Sequence, residues 1–188
     1  MLEKVFFKKD FRIFSHKDEF IFHPGVNLLV GDQGTGKSTL FYLLAGNRQF
    51  SNVIQYTTTA NSSVPIRFFD FEKHNPRSSS ALYTENEDKL NAQLGLMFSS
   101  HGQGVNAIIK AATQFKAPMV LMMDEPDMAL SPRSAKKLVE TFQLLSQKGI
   151  QIIAAVHNPI VIESVDQVLS LEHKKWMSSR EFLTQHLK

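Results

Sequence analysis

The stretch GDQGTGKS, residues 31–38, matches the pattern G-x-x-x-x-G-K-[ST] at every fixed position. Its glycines allow the tight turn that brings backbone N–H groups against the oxygens of an anion. The stretch lies between an apolar run at 26–30 and a predicted helix at 36–45, whose positive N-terminus would face the same anion. We therefore predict a phosphate-binding loop, the alternative being a glycine-rich turn that binds nothing.

The residue types within this stretch predict separate tasks in holding a nucleoside triphosphate. Lys37 has the reach to contact the β- and γ-phosphates, and the hydroxyl of Ser38 suits a Mg²⁺ ion. We therefore expect ATP and Mg²⁺ as cofactors. The other nucleotide contacts expected from this stretch and the residue after it are Gly31, Asp32, Gln33, Gly34, Thr35, Gly36 and Thr39.

A second apolar strand, within MVLMMDEP at 119–126, ends in two acids. We expect Asp124, at the strand tip, to hold Mg²⁺ through a water molecule. That arrangement leaves Glu125 to act as the general base that polarises the attacking water. The alternative for the Asp-Glu-Pro sequence is a turn that begins a helix.

A histidine ends the next apolar strand, IQIIAAVH at 150–157. At that strand end the imidazole of His157 would lie beside the γ-phosphate, where it can form a hydrogen bond and sense loss of the phosphate. The alternative is a structural histidine. The other six histidines lack such a position, and no metal-ligand spacing links them. The predicted catalytic residues are therefore Glu125, His157 and Lys37.

Apolar runs that alternate with helical segments predict an α/β fold of the P-loop NTPase class, with a mostly parallel sheet flanked by helices. Two segments at 3–8 and 18–23 predict an N-terminal antiparallel β piece, and 75–100 a reduced helical insertion. We expect one domain over residues 1–188. The other predicted strands are 52–56, 64–70, 118–123, 150–156 and 167–171, and the other helices 86–97, 102–115, 133–147, a short one from 158 and a last one from 179.

Composition sets outer limits on function. The chain has 188 residues, 43% hydrophobic and 21% charged, and no cysteine, which excludes a disulfide framework and a thiolate metal site. A net charge of +3 tolerates a nucleic-acid partner without arguing for one, because Lys and Arg are spread along the chain. Residues 1–10 do not read as a signal peptide, and the apolar runs are too short to span a bilayer, so we expect a cytoplasmic protein.

The order of the motifs resembles the ABC-type ATPases. GDQGTGKS is followed by SSHGQ at 99–103, then by MVLMMDEPDMALS at 119–131 and AAVH at 154–157. Residues 99–103 are similar to the LSGGQ signature of that family, with His101 in place of its first glycine. The resemblance covers essentially the whole chain and implies an ATPase whose two nucleotides lie between head-to-tail copies.

The same resemblance assigns further residues. Ser100 and Gly102 would contact the nucleotide bound by the partner copy in an ATP-dependent homodimer. The D-loop of the family would lie at 129–131. The segment RIFSHKDEFIFHPGVNLLVG at 12–31 is similar to the SMC- and RecF-like branch of DNA repair and chromosome maintenance, and to its small stand-alone bacterial and phage members. In that branch residues in the Arg12–His16 region lie near the nucleotide, and Arg12 is the residue of this region that we expect to contact it.

Some features depart from the family pattern. Residues 71–74, FEKH, contain no Q-loop glutamine, and Glu72 is a candidate substitute. Ser100 to Gln103 also fit a plain capping box at a helix start. Phe11, Phe14 and their aromatic neighbours are candidates for stacking on adenine, or simply core residues.

Three functions follow from these motifs. The leading one is an ATPase that works as a homodimer. The second is a nucleotide-gated dimer that binds DNA or a protein with little turnover, suggested by the altered signature and the missing glutamine. The third, an ATPase subunit of a membrane transporter, is less favoured because the middle region is short.

Overall fold

Over residues 1–46, 49–59, 64–71 and 117–186, which the computed structural model describes, the chain forms nine strands and four helices. In chain order they are β1 (Leu2–Phe7), β2 (Glu19–Ile21), β3 (Val26–Val30), α1 (Lys37–Ala45), β4 (Ile54–Thr58), β5 (Ile66–Asp70), β6 (Met119–Asp124), α2 (Pro132–Gln147), β7 (Ile150–Ala155), α3 (Pro159–Ile162), β8 (Gln167–Ser170), β9 (Lys175–Ser178) and α4 (Ser179–His186).

These strands form two sheets. The larger sheet has six strands in the order β5-β6-β7-β3-β8-β9, and every neighbouring pair is parallel except β8 with β9. The smaller sheet has three antiparallel strands in the order β2-β1-β4. The predicted fold class, a mostly parallel sheet with helices and an N-terminal antiparallel β piece, is confirmed.

The larger sheet is covered on both faces. Strands β6 and β7 are buried along their whole length, which is why their residues are apolar apart from Asp124 at the end of β6 and Gln151 in β7. Because successive side chains of a strand point to opposite faces, Leu121 packs with Leu138 of α2 in one core. Its neighbour Met122 packs with Phe41 of α1 and with Val5 of the smaller sheet in the other. The sheet therefore lies between α2 on one side and α1 with the smaller sheet on the other.

Most predicted elements agree with the structure to within two residues at each end. The sequence reading missed β9, the antiparallel edge strand between β8 and the last helix. Its four residues are too few to show a clear alternation of apolar and polar side chains. The predicted helices at 86–97 and 102–115, and the insertion at 75–100, lie outside the described residues.

One buried glutamine ties the two sheets together. Gln151 of β7 is fully buried, and its Oε1 accepts a hydrogen bond from the backbone N–H of Leu2 at 2.8 Å. Its Nε2 donates to the carbonyl oxygens of Leu2, at 2.8 Å, and His23, at 2.9 Å. Because Leu2 begins β1, this side chain fixes the start of the smaller sheet against the centre of the larger one.

We expect Gln151→Leu to lower the free energy of unfolding by about 2–4 kcal/mol, because buried backbone groups of Leu2 and His23 would lose their partner. Urea unfolding followed by circular dichroism measures the change. The matched control is Gln143→Leu, at an exposed position on α2, which should alter stability by less than about 0.5 kcal/mol. Equal losses of stability in the two variants would contradict the role assigned to Gln151 in joining the two sheets.

Candidate nucleotide-binding site

The carboxyl ends of three parallel strands meet at one edge of the larger sheet. Leu29 of β3 and Asp124 of β6 both lie opposite Ala155 of β7 in the strand pairing. The loop that starts at Gly31 and the segments that follow β6 and β7 therefore emerge side by side. In open α/β sheets this edge is where ligands bind.

The 31–36 loop turns tightly at its glycines. Gly31, Gly34 and Gly36 have φ of 139°, 88° and 91°, backbone conformations that are strained in any residue with a side chain. A Cβ on Gly36 would also lie 2.6 Å from Cδ1 of Ile13 and 2.8 Å from Cζ of Phe14. Since α1 begins directly after this residue, the loop presents the N-terminal turn of a nine-residue helix at the edge of the sheet.

Lys37 is a buried cation at the start of α1, with only 6% of its surface exposed. Its Nζ donates hydrogen bonds to the carbonyl oxygens of Gly31, at 2.7 Å, and Asp32, at 3.0 Å. Burial lowers the pKa of Lys37, and the carboxylates of Glu125 and Asp124 act in the opposite direction. The ammonium group is therefore held inside the loop, within the field of the acids that follow β6.

Asp124 is a buried acid with an unsatisfied oxygen. It is 6% exposed, and among the described residues its Oδ1 has no hydrogen-bond partner. Burial raises the pKa of Asp124, whereas a hydrogen bond from the Ser38 side chain lowers it. A buried carboxylate oxygen beside a hydroxyl is a donor set that Mg²⁺ accepts, since this ion uses one or two carboxylates and completes its shell with water and phosphate. The residues present therefore fit a Mg²⁺ ion.

No group of three or more His, Cys, Asp or Glu side chains placed to hold a metal occurs in the described part of the chain. The oxygen ligands that Mg²⁺ takes besides carboxylates include water and the phosphates of a nucleotide.

Glu125 and His157 contact each other across the ends of β6 and β7. Oε1 of Glu125 lies 3.2 Å from Nε2 of His157, and the two side chains are 36% and 47% exposed. The backbone of Glu125 has a φ of 53°, and its N–H donates to the carbonyl oxygen of Ala155 at 3.0 Å. A half-exposed carboxylate and imidazole at hydrogen-bond distance can share a proton or orient a water molecule.

The sequence reading missed a second acid beside Asp124. Asp70 ends β5 and pairs with Asp124 in the parallel register, and the hydroxyl of Tyr42 on α1 donates a hydrogen bond to its Oδ2. Its charge acts to raise the pKa of Asp124. The available signal was the strand sequence IRFFD at 66–70, which ends in an acid as MVLMMD does.

Asp127, two residues after Glu125, was also missed. It is 4% exposed, and its Oδ2 accepts hydrogen bonds from the backbone N–H groups of His157, at 2.7 Å, and Asn158, at 2.6 Å. Burial raises its pKa, and these two hydrogen bonds lower it. The contact joins residues about thirty positions apart in the chain, and no local sequence pattern predicts it.

Arg12 lies beside α1. It is exposed, has a φ of 55°, and its Nη1 donates to Oγ1 of Thr39 at 3.1 Å. Its guanidinium also lies 5.8 Å from the ring centre of Phe11, which is half-buried. Phe14, by contrast, is buried and stacked on Phe7, which makes it a core residue.

The remaining predicted site residues fall into three groups. In the loop, Asp32, Gln33, Gly34 and Ser38 are exposed and Thr35, Gly36 and Thr39 are half-buried. At the proposed D-loop, Ala129 has a φ of 54° and the side chain of Ser131 caps α2 by accepting from the N–H of Ser134. Ser100 and Gly102 of the signature, and Glu72, lie outside the described residues.

Comparison with known proteins gives the family. Residues 62–163, just over half of the chain, match the family described as "AAA domain, putative AbiEii toxin, Type IV TA system". The chain belongs to this family. It is also 30% identical over 165 residues to the nisin transport ATP-binding protein NisT of Lactococcus lactis subsp. lactis, a match that covers 66% of this chain and 27% of that protein. The chain thus spans about a quarter of the length of this relative.

Two solved structures show the fold. A nucleotide-free ATP-binding cassette from an ABC transporter superposes with a TM-score of 0.61 at 17% identity, over 100% of this chain and 95% of that one. The SMC head domain from Thermotoga maritima gives 0.59 at 16% identity, over 90% and 94%. The fold is therefore that of an ABC-type P-loop ATPase. The two scores are nearly equal, so they do not favour the SMC- and RecF-like branch over transporter ATPases.

Where the chain is described, none of its helices has both the length and the apolar character needed to cross a membrane.

The glycines of the loop provide a matched pair of substitutions. We expect Gly36→Ala to destabilise the protein by about 2–4 kcal/mol, because the methyl group meets Ile13 and Phe14 in a backbone conformation that already strains it. Gly34→Ala should cost only about 1 kcal/mol, since its φ is similar but no atom lies within 4 Å of the added Cβ. Thermal unfolding by calorimetry compares the two. A Gly34→Ala variant as unstable as Gly36→Ala would contradict the assigned packing.

Proposed function

We propose that the protein binds Mg²⁺-ATP at this edge of the sheet and hydrolyses it, with two copies arranged head to tail over two nucleotides. The observation that carries the proposal is the 3.2 Å contact between Glu125 and His157. It lies on adjacent strand ends, beside a helix that begins with the buried Lys37. A general base, a hydrogen-bonding imidazole and a cation at one strand edge are what phosphoryl transfer to water requires.

Binding relies on the loop and on α1. The backbone N–H groups of 31–38 and the positive end of α1 would surround the phosphates. Lys37 would release one of its loop carbonyls to meet the β- and γ-phosphates, and Arg12 would lie beside the nucleotide. The wider set of proposed contacts from the loop is Gly31, Asp32, Gln33, Gly34, Thr35, Gly36, Ser38 and Thr39.

Ser38 and Asp124 would hold the magnesium ion, Ser38 through its hydroxyl and Asp124 through water. When bound, the ion supplies neutralisation of the charge on the phosphate oxygens. The family resemblance makes ATP with Mg²⁺ the expected pair, and the unsatisfied Oδ1 of Asp124 supports the metal half of it.

In the hydrolytic step, Glu125 accepts a proton from water as the water oxygen attacks the γ-phosphorus. The bond between that phosphorus and the oxygen bridging to the β-phosphate breaks, so ADP and inorganic phosphate are released. Lys37 stabilises the charge that develops on the phosphate oxygens, and His157 donates a hydrogen bond to the γ-phosphate. Ser100 and Gly102 of the second copy would complete the charge stabilisation from across the dimer.

We expect Glu125→Gln to lower kcat for ATP hydrolysis by about a hundredfold or more, because an amide cannot accept the proton of the attacking water. The dissociation constant for Mg²⁺-ATP should change little, since Glu125 does not hold the phosphates. Phosphate release gives the rate and calorimetry the affinity. The control is Glu140→Gln, on the exposed side of α2, which should match the unmodified protein. A Glu125→Gln variant with undiminished turnover would refute the base assignment.

A nucleotide-gated binding module is the second candidate. The observation in its favour is that FEKH, residues 71–74 after β5, contains no glutamine, the residue that the family resemblance leads us to expect there. The similarity to NisT keeps a transporter ATPase subunit as a third possibility, and co-purification with an integral membrane protein would support it.

Size-exclusion chromatography of Glu125→Gln separates these functions. We expect a shift from monomer to dimer only when Mg²⁺ and ATP are both present, because each nucleotide would join two copies. The same run with added duplex DNA tests one partner class. A stable dimer of the unmodified protein that releases no phosphate would favour the binding module. A monomer under every condition would contradict the head-to-tail arrangement.

A further inference from the structure

We propose that Asp127 is a positioning residue for hydrolysis: its carboxylate fixes the backbone of His157 so that the imidazole meets Glu125. This inference rests on the proposed function, because it assigns a task at the same site. Neither the family pattern nor the sequence reading gave this residue a role.

The contact is buried and specific. A single oxygen, Oδ2 of Asp127, accepts two adjacent backbone N–H groups, those of His157 at 2.7 Å and Asn158 at 2.6 Å. With 4% of its surface exposed, Asp127 cannot exchange these partners for bulk water. A carboxylate that accepts two N–H groups forms stronger hydrogen bonds than a neutral acceptor does.

These two N–H groups belong to residues just beyond the end of β7, where the strand pairing has ended. Strand β7 ends at Ala155, and Val156 still donates to the carbonyl oxygen of Leu29 at 3.1 Å. The next two residues, His157 and Asn158, lie beyond the sheet, and the side chain of Asp127 accepts the hydrogen bonds of their N–H groups. The path of the chain between β7 and α3 is therefore set by this one side chain.

The other end of the contact is fixed to Glu125. The N–H of Met128 donates to the carbonyl oxygen of Glu125 at 3.2 Å, and that of Leu130 to the carbonyl oxygen of Asp127 at 3.3 Å. Glu125 itself is bonded to Ala155 through its own N–H, at 3.0 Å. The turn that carries the base and the segment that carries His157 are thus joined twice, once at the strand end and once through Asp127.

A purely structural role is the competing explanation. Oδ1 of Asn158 accepts the N–H of Ile160 and so caps α3, and Asp127 would then serve only to hold this short helix in place. That role predicts a loss of stability on removing Asp127, with no particular dependence on His157. A positioning role predicts that the loss of rate depends on His157 being present.

Asparagine is the conservative replacement. The amide oxygen of Asp127→Asn can accept both N–H groups, and its NH₂ would occupy the place of Oδ1, which has no hydrogen-bond partner among the described residues. Asp127→Ala removes the acceptor altogether. The two variants therefore separate loss of the negative charge from loss of the acceptor together with the volume of the side chain.

The test is a double-mutant cycle with Asp127→Ala, Asp127→Asn and His157→Ala. We expect Asp127→Ala to lower kcat about tenfold or more with little change in KM, because a misplaced imidazole affects the step rather than binding. Asp127→Asn should recover most of the rate. With His157→Ala already present, Asp127→Ala should change kcat by less than about twofold, because the residue being positioned is gone. Equal losses in both backgrounds, or no recovery with asparagine, would overturn the proposal.

A measurement that does not need turnover keeps the two proposals apart. In NMR spectra, the backbone amide protons of His157 and Asn158 should lie downfield, move upfield in Asp127→Ala and return in Asp127→Asn. The imidazole signals of His157 should respond to Glu125→Gln in the unmodified background and in Asp127→Asn, but not in Asp127→Ala. If the protein does not hydrolyse ATP, the proposed function fails while these spectra still decide the role of Asp127. An imidazole that responds equally in all three backgrounds would refute it.

Discussion

The parallel pairing of β3, β6 and β7 is the constraint on which the candidate site depends. Asp124 and Leu29 lie opposite the same residue, Ala155, so the three strands end at one level. Burial of these strands, complete in β6 and β7, fixes this register, because a shift by one residue would exchange the side chains of the two cores. The loop, the acid pair and His157 are therefore brought together by the strand pairing itself. A rigid sheet holds such groups in position before a ligand binds, which is what preorganisation of a site means.

Charge at this edge is unbalanced in a way that favours a metal-bound nucleotide. Lys37 faces the carboxylates of Glu125, Asp124, Asp32 and Asp127, and Asp70 adds its charge next to Asp124. A triphosphate alone would bring more negative charge into a region already rich in acids. A divalent cation bound between the phosphates and Asp124 reverses that repulsion. The acids around the buried Lys37 therefore support the proposal that the ligand is Mg²⁺-ATP rather than a free polyphosphate anion.

The fold could be predicted from the sequence because buried parallel strands are mostly apolar runs. Residues 119–123 are all apolar, and residues 150–155 are apolar except for Gln151. The loop at 31–38 was equally visible, since its glycines stand at fixed spacing. What could not be predicted depends on which strands are neighbours. Asp70 meets Asp124 only because β5 pairs with β6, and Asp127 meets His157 only because β6 pairs with β7.

Local strain at Glu125 gives a physical reason for the supporting contacts around it. A φ of 53° in a residue with a side chain costs of order 1 kcal/mol or more, and such conformations persist only where surrounding contacts hold them. Here the N–H of Glu125 is held by Ala155, and its carbonyl oxygen by Met128. With the turn held in this way, Asp124 lies at the end of β6 beside Ser38, and the side chain of Glu125 contacts His157. Asp127 lies in the same turn, and its side chain joins this turn to the end of β7 by accepting hydrogen bonds from the N–H groups of His157 and Asn158.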